Sequence, residues 1–220
     1  MLDWRALEVA STILNTMEHT EKIESILKFW FGRVEETVVP SENRAKIWFG
    51  DSEEVDVQIH HEFSHDLQLG SLGEYDVWSE SPRGQLALII LLDQYSRHIF
   101  RAHPDAYAQD QKALSICLQG IKDESDHALS LIERVFFYFP LLHSEELAYQ
   151  EQSIRAYQNL SDLAFAETRV IYDSFLKFAN HHYTIIKSFG RFPQRNEILG
   201  RPSTPQEIAY LKEIKDQEAT

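Results

Sequence analysis

The run from Leu86 to Leu92, Leu-Ala-Leu-Ile-Ile-Leu-Leu, limits what this chain can fold into more than any other segment. It follows Ser81-Pro82, a serine cap with proline at the first helical position, which predicts a helix start. A helix that is apolar on every face must be surrounded by other elements, because no side of it can face water. A bilayer crossing needs about 20 apolar residues, so this segment is not one. It reads as the buried central helix of a domain.

The segments around it are helical too. Ile23, Ile26, Leu27 and Trp30 recur at helical spacing, and Gly32 is placed to stop that helix. A helix before it, roughly Trp4 to Met17, is expected from Leu7, Ala10, Ile13, Leu14 and Met17. Val55, Ile59, Phe63 and Leu67 predict another. Pro104 opens a helix whose inner face holds Ala106, Asp110, Ala113, Leu114, Cys117 and Ile121. Leu129 to Phe139 is a short helix ended by Pro140. Ser144 is expected to cap a helix to about Leu160, with Glu145 and Glu146 answering the dipole in its first turn. A long helix from about Phe165 to Phe189 carries Ile171, Phe175, Phe178, His182, Ile185, Ile186 and Phe189 on one stripe. Thr204-Pro205-Gln206-Glu207 is a capping box opening the last helix. No strand-like alternation appears. The expected fold is all-α, about eight to ten helices stacked as helical hairpins. Residues 1–20 read as a helical N-terminal extension, and 21–220 as a single all-helical domain.

Net charge is -14, and no basic face is visible, which argues against nucleic acid as a partner. A membrane-surface helix is equally unsupported. One cysteine, Cys117, leaves no internal disulfide, and the N-terminus lacks the apolar segment of a signal peptide, so a cytoplasmic protein is expected. No Walker loop, no Gly-x-Gly-x-x-Gly and no Gly-x-Ser-x-Gly elbow occurs, and no cofactor is called for.

Three islands break their local patterns. The first is Leu92 to Arg101, where Asp93, Arg97 and Arg101 stand four apart along one helix face, beside Gln94. The second is Phe137 to Glu151, with His143 next to the positive end of a helix, where its charged form is disfavoured. His143 and Glu146 have a spacing that could seat a metal, but two residues are a weak signal and no metal site is assigned. The third is Phe189 to Thr204, which gathers Arg191, Arg195 and Arg201 in one loop of an acidic chain. If every arginine is matched by an acid, the set is a structural lock. If arginines are in surplus, the excess is a pocket for a carboxylate or phosphate, and the surplus is the preferred reading.

The three islands resemble a widespread bacterial family, domain of unknown function 924. The matching segments are Ile26-Leu27-Lys28-Phe29-Trp30-Phe31-Gly32, Trp48-Phe49, Leu92-Asp93-Gln94-Tyr95-Ser96-Arg97-His98, Tyr138 to Glu145, and His182 followed by Phe189 to Asn196 and Leu199 to Thr204. The resemblance covers about residues 23 to 211. It implies a helical fold similar to tetratricopeptide-repeat superhelices and no established activity. By motif it carries over Asp93, Gln94, Arg97, Arg101, Asp110, His143, Ser144, Glu145, His182, Arg191, Arg195, Asn196 and Arg201 as candidate site residues. Ser96 and His98 replace the family's Pro and Asn, and Gln194 replaces its His.

The preferred expectation is a pocket that binds a small anion or an acidic peptide end through these arginines, with Gln94 and Asn196 orienting it. Trp30, Tyr138 and Phe192 are expected as its walls. The alternative is an enzyme in the same pocket, with His143 or His182 as general base and Glu145 or Asp93 orienting it. A protein-interaction scaffold is the third reading. Oligomeric state is not legible in the sequence.

Overall fold

The computed structural model describes residues 4–32, 44–50 and 52–218. Among these the chain is all-α, with no strand. Its helices are α1 (Trp4–Phe31), α2 (Ala45–Phe49), α3 (Glu53–Leu72), α4 (Pro82–Ile89), α5 (Ser96–Ile99), α6 (Asp110–Lys122), α7 (Leu131–Phe137), α8 (Phe139–His143), α9 (Leu147–Leu163), α10 (Arg169–Phe189) and α11 (Pro205–Glu218).

The central rod begins as the sequence predicts. Ser81 Oγ accepts the Gly84 N–H at 3.1 Å, and Pro82 occupies the first turn. Gly84 is needed for packing: a Cβ there would lie 2.1 Å from the Trp78 carbonyl oxygen. Every residue from Leu86 to Leu92 is buried. The rod does not end at Ile89. It continues through a π-helical segment, Ile90–Tyr95, and returns to α-geometry in α5. α1, α3, α6 and α7 pack around it. Tyr95 ties the rod to α1 by donating its hydroxyl to the Ile26 carbonyl at 3.1 Å. Trp30 meets Tyr95 and Phe136 edge to face at 5.7 and 5.4 Å, a favoured aromatic geometry.

Several boundaries differ from the sequence reading. The two expected N-terminal helices are one continuous helix, and Leu14 and Met17, placed on its inner face by periodicity, are exposed. The side chains of Leu7, Ala10 and Ile13 lie outside the described ones. Pro104 opens only a 3-10 turn, Pro104–Tyr107, and α6 starts at Asp110, which therefore sits at a helix start. Pro140 does not simply stop a helix; it occupies the first turn of α8. α9 starts at Leu147, and the Ser144 hydroxyl accepts only the Glu146 N–H, at 3.1 Å.

α9 and α10 form a helical hairpin, pinned where Ser161 Oγ donates to Asp173 Oδ1 at 2.5 Å. Beyond α10 the chain turns at Gly190, whose φ of +68° is the left-handed conformation that glycine adopts without strain. A small second apolar cluster of Ile185, Ile186 and Phe192, with Phe189 and Tyr210 against it, seats the arginine loop and α11. The Thr204 capping box forms: Thr204 N–H donates to Glu207 Oε2 at 2.7 Å and Glu207 N–H to Thr204 Oγ1 at 3.2 Å.

Candidate functional site

Asp93 is the centre of the site. It lies in the π-helical segment and its side chain is fully buried. A π turn widens the helix locally, and such turns recur at functional sites. A buried carboxylate needs partners, and this one has three. His143 Nδ1 approaches Asp93 Oδ1 at 2.8 Å and Oδ2 at 2.9 Å. Arg97 approaches Oδ1 at 3.3 Å, and the Gln94 amide donates to Oδ2. Burial pushes the Asp93 carboxyl up, but Arg97 and His143 outweigh it and hold it well below the usual carboxylate range. Asp93 is therefore ionised, and His143 Nδ1 carries the hydrogen that it donates.

Arg97 joins Asp93 to Asp110. Its guanidinium donates to Asp110 Oδ1 at 2.9 Å and Oδ2 at 3.1 Å, and to the Ala106 carbonyl at 2.9 Å. Arg195 arrives from the C-terminal loop. It donates to the His143 carbonyl at 3.0 Å and reaches Asp110 Oδ2 only at 3.5 Å. The rings of Tyr107 and Phe192 lie against its guanidinium at 4.8 and 4.6 Å. Burial and the neighbouring Arg97 charge both work against the Arg195 cation.

His143 has 14% of its side chain exposed. Burial, then Arg97, lowers its pKa; Asp93 opposes this without reversing it, so the ring is neutral at neutral pH. Gln150 fixes its backbone. The Gln150 amide nitrogen reaches the Leu142 carbonyl at 2.7 Å and the Ser144 carbonyl at 2.6 Å, one on either side of His143. His182 packs on Phe178 and Phe192, with ring centroids at 4.3 and 5.2 Å, and its Nδ1 meets the Phe178 carbonyl at 3.0 Å. Burial, with the Arg195 charge also acting on it, pushes its pKa down to about 3.

The remaining candidates form braces. Glu145 does not serve a helix dipole. It accepts the Phe192 N–H at 2.9 Å and both arms of Arg201 at 2.7 and 3.0 Å, bolting the arginine loop to the segment after α8. Arg201 also donates to Asn196 Oδ1 at 3.0 Å, and Asn196 donates to Ser203 Oγ at 3.0 Å. Arg191 is held by Glu207 at 2.6 and 2.9 Å. Arg101 does not share the cluster: it faces α3 and pairs with Asp56, which also meets His98 Nδ1 at 2.7 Å. Trp30 and Tyr138, expected as walls, belong to the core. Trp30 is fully buried, and Tyr138 bonds Asp126 and Arg134 instead. No group of three metal-ligating side chains occurs among the described residues. Cys117 is buried, and burial raises its thiol pKa, which suits core packing rather than attack.

The structure thus brings together Asp93, Gln94, Arg97, Asp110, His143 and Arg195, with His182 alongside. The family model for bacterial proteins of unknown function, DUF924, matches residues 26–215. The chain belongs to this family. A solved protein of unknown function from Agrobacterium tumefaciens is 33% identical, with a TM-score of 0.72 over 88% of this chain and 98% of that one. No curated protein matches. Two of this DUF924 member's departures from the family pattern lie beside the site rather than in it: His98 is engaged by Asp56, and Gln194 is exposed. The third, Ser96, is buried with its hydroxyl unpartnered.

Tyr107, Gln150, Asp56 and Glu207 were not singled out as site or partner residues by sequence reasoning. Tyr107 had a signal, lying in the turn just before Asp110. Asp56 had none, because its partners His98 and Arg101 are 42 and 45 residues away.

Proposed function

We propose that this protein binds a small anion, a carboxylate or a phosphate ester, at the corner formed by Arg195 and His143. One observation carries the reading: Arg195 has 12% of its side chain exposed and shares its nearest carboxylate, at 3.5 Å, with an arginine that already occupies both oxygens. A partly buried guanidinium with an incomplete set of acceptors favours an incoming anion. A free metabolite and the carboxylate end of a peptide both offer that chemistry. We also read the protein as cytoplasmic, residues 1–20 as an extension of the family domain, and the helical hairpins as a tetratricopeptide-like stack. No described helix is long and apolar enough to cross a membrane.

The test is thermal melting against phosphorylated and carboxylated metabolites. A ligand at a hundred times its dissociation constant raises stability by about 2.7 kcal/mol, a shift of several degrees. The shift is expected to vanish in Arg195→Ala. A panel without a single shift would reduce the cluster to a structural lock.

A second reading, that the corner is catalytic, is favoured by the grip of both Asp93 oxygens on His143 Nδ1, at 2.8 and 2.9 Å. That grip sets the tautomer and leaves Nε2 as a general base, with the neighbouring Arg195 charge to stabilise a developing oxyanion. His143→Gln should then retain ligand binding and lose turnover; unchanged turnover refutes catalysis by His143.

A further inference from the structure

We infer that the ligand of the Arg195–His143 corner is a hydroxylated monocarboxylate, with its carboxylate on the Arg195 guanidinium and its hydroxyl donating to His143 Nε2. This rests on the anion-site reading above and narrows it to a chemical class.

Charge comes first. Arg97 is held by Asp93 and Asp110, Arg201 by Glu145, and Arg191 by Glu207. Within this cluster the Arg195 cation has the longest approach to a carboxylate, 3.5 Å to Asp110 Oδ2, and Asp110 and Glu145 already act on it. One added negative charge is answered there. A phosphate monoester carries between one and two charges at neutral pH, and the excess would face Asp110 and Glu145 without a cation of its own.

Shape agrees with charge. The Tyr107 and Phe192 rings lie against the Arg195 guanidinium at 4.8 and 4.6 Å and hold it in place. The edge of a guanidinium matches a planar carboxylate in a two-bond fork.

The hydroxyl follows from the histidine. His143 gives its Nδ1 hydrogen to Asp93 and is neutral, which leaves a lone pair on Nε2. His182 makes the same arrangement with the Phe178 carbonyl at 3.0 Å. A lone pair calls for a donor, and carboxylate or dianionic phosphate oxygens are acceptors that cannot satisfy it. Arg195 donates to the main-chain carbonyl of His143 itself, at 3.0 Å. The Arg195 charge also acts on the His143 ring, so cation and imidazole are neighbours in the site.

The experiment is a ligand-observed NMR titration of the full chain at neutral pH. Glycolate, lactate and 3-hydroxybutyrate are compared with acetate, propionate and butyrate, and with methyl phosphate. The expected result is that at least one hydroxy acid binds about tenfold tighter than its deoxy partner, the worth of one hydrogen bond to the Nε2 acceptor. That gap should close in His143→Phe, and all binding should be lost in Arg195→Gln. The wild-type pairs decide the matter alone if His143→Phe fails to fold. Equal affinity within every pair overturns the inference. Methyl phosphate binding tighter than the hydroxy acids also overturns it, while leaving the anion site standing. Absence of binding by every probe overturns the inference and the anion site together.

Discussion

Glu145 and Asp110 are carboxylates of similar exposure, 28% and 22%, a short distance apart in the same molecule, yet their surroundings differ. Glu145 serves one guanidinium, Arg201, through both oxygens, and adds the Phe192 N–H. Asp110 is asked to serve two. Arg97 takes both of its oxygens, and Arg195 is left at 3.5 Å. One-to-one pairing closes a brace and leaves nothing for a ligand. One-to-two pairing leaves the second cation short of acceptors, which marks a site apart from its scaffold. Counting charges in the sequence could not separate these cases, because the totals are alike and only the sharing differs.

The comparison can be broken from either side. The largest effect is expected for Asp93→Asn. It keeps the shape and removes the fully buried charge on which Arg97 and His143 depend, so stability should fall by about 3–5 kcal/mol in urea unfolding. A loss below about 1 kcal/mol would mean that Asp110 alone sustains Arg97.

Acid comes next. The folded-state pKa values of His143 and His182 lie below the unfolded value, so the unfolded chain binds more protons as pH falls. Their contribution is complete above about pH 6.5 and is lost progressively below it, for His182 down to about 3. Melting temperature should therefore decline from pH 7 to pH 5, before the carboxylates of the braces titrate. A flat profile over that range would contradict the neutral histidines.

Glu145→Gln should cost about 1–2 kcal/mol and loosen the arginine loop, since it removes one charge-assisted pair. Arg195→Gln should have the smallest effect on stability, within about 1 kcal/mol, because burial and Arg97 already disfavour its charge. An Arg195 loss larger than that of Glu145 would reverse the assignment of brace and site.

Much of the scaffold was legible because its signals are local. The Ser81 cap, the Thr204 capping box and the α3 stripe each depend on residues within a few positions of one another. The site was legible as a residue set but not as a pairing. Arg101 shares a helical spacing with Arg97, yet faces Asp56 on α3. Glu145 resembles a dipole acid, and only the fold brings Arg201 to it. The π segment was invisible for a different reason. A stretch that is apolar on every side carries no stripe, so a slip in helical turn leaves no mark on its pattern.

That slip gives the rod a property of its own. A π turn accommodates one residue more than the α-helix would, and each α-helical residue advances about 100° around the axis. Ile90–Tyr95 therefore sets the angular phase between Pro82–Ile89 and Ser96–Ile99. Winding the same number of residues as regular α-helix would swing Arg97, His98 and Arg101 about 100° from their present directions. Asp110 on one side and Asp56 on the other would lose their partners in a single step. In this stretch the number of residues is a constraint as strict as their identity.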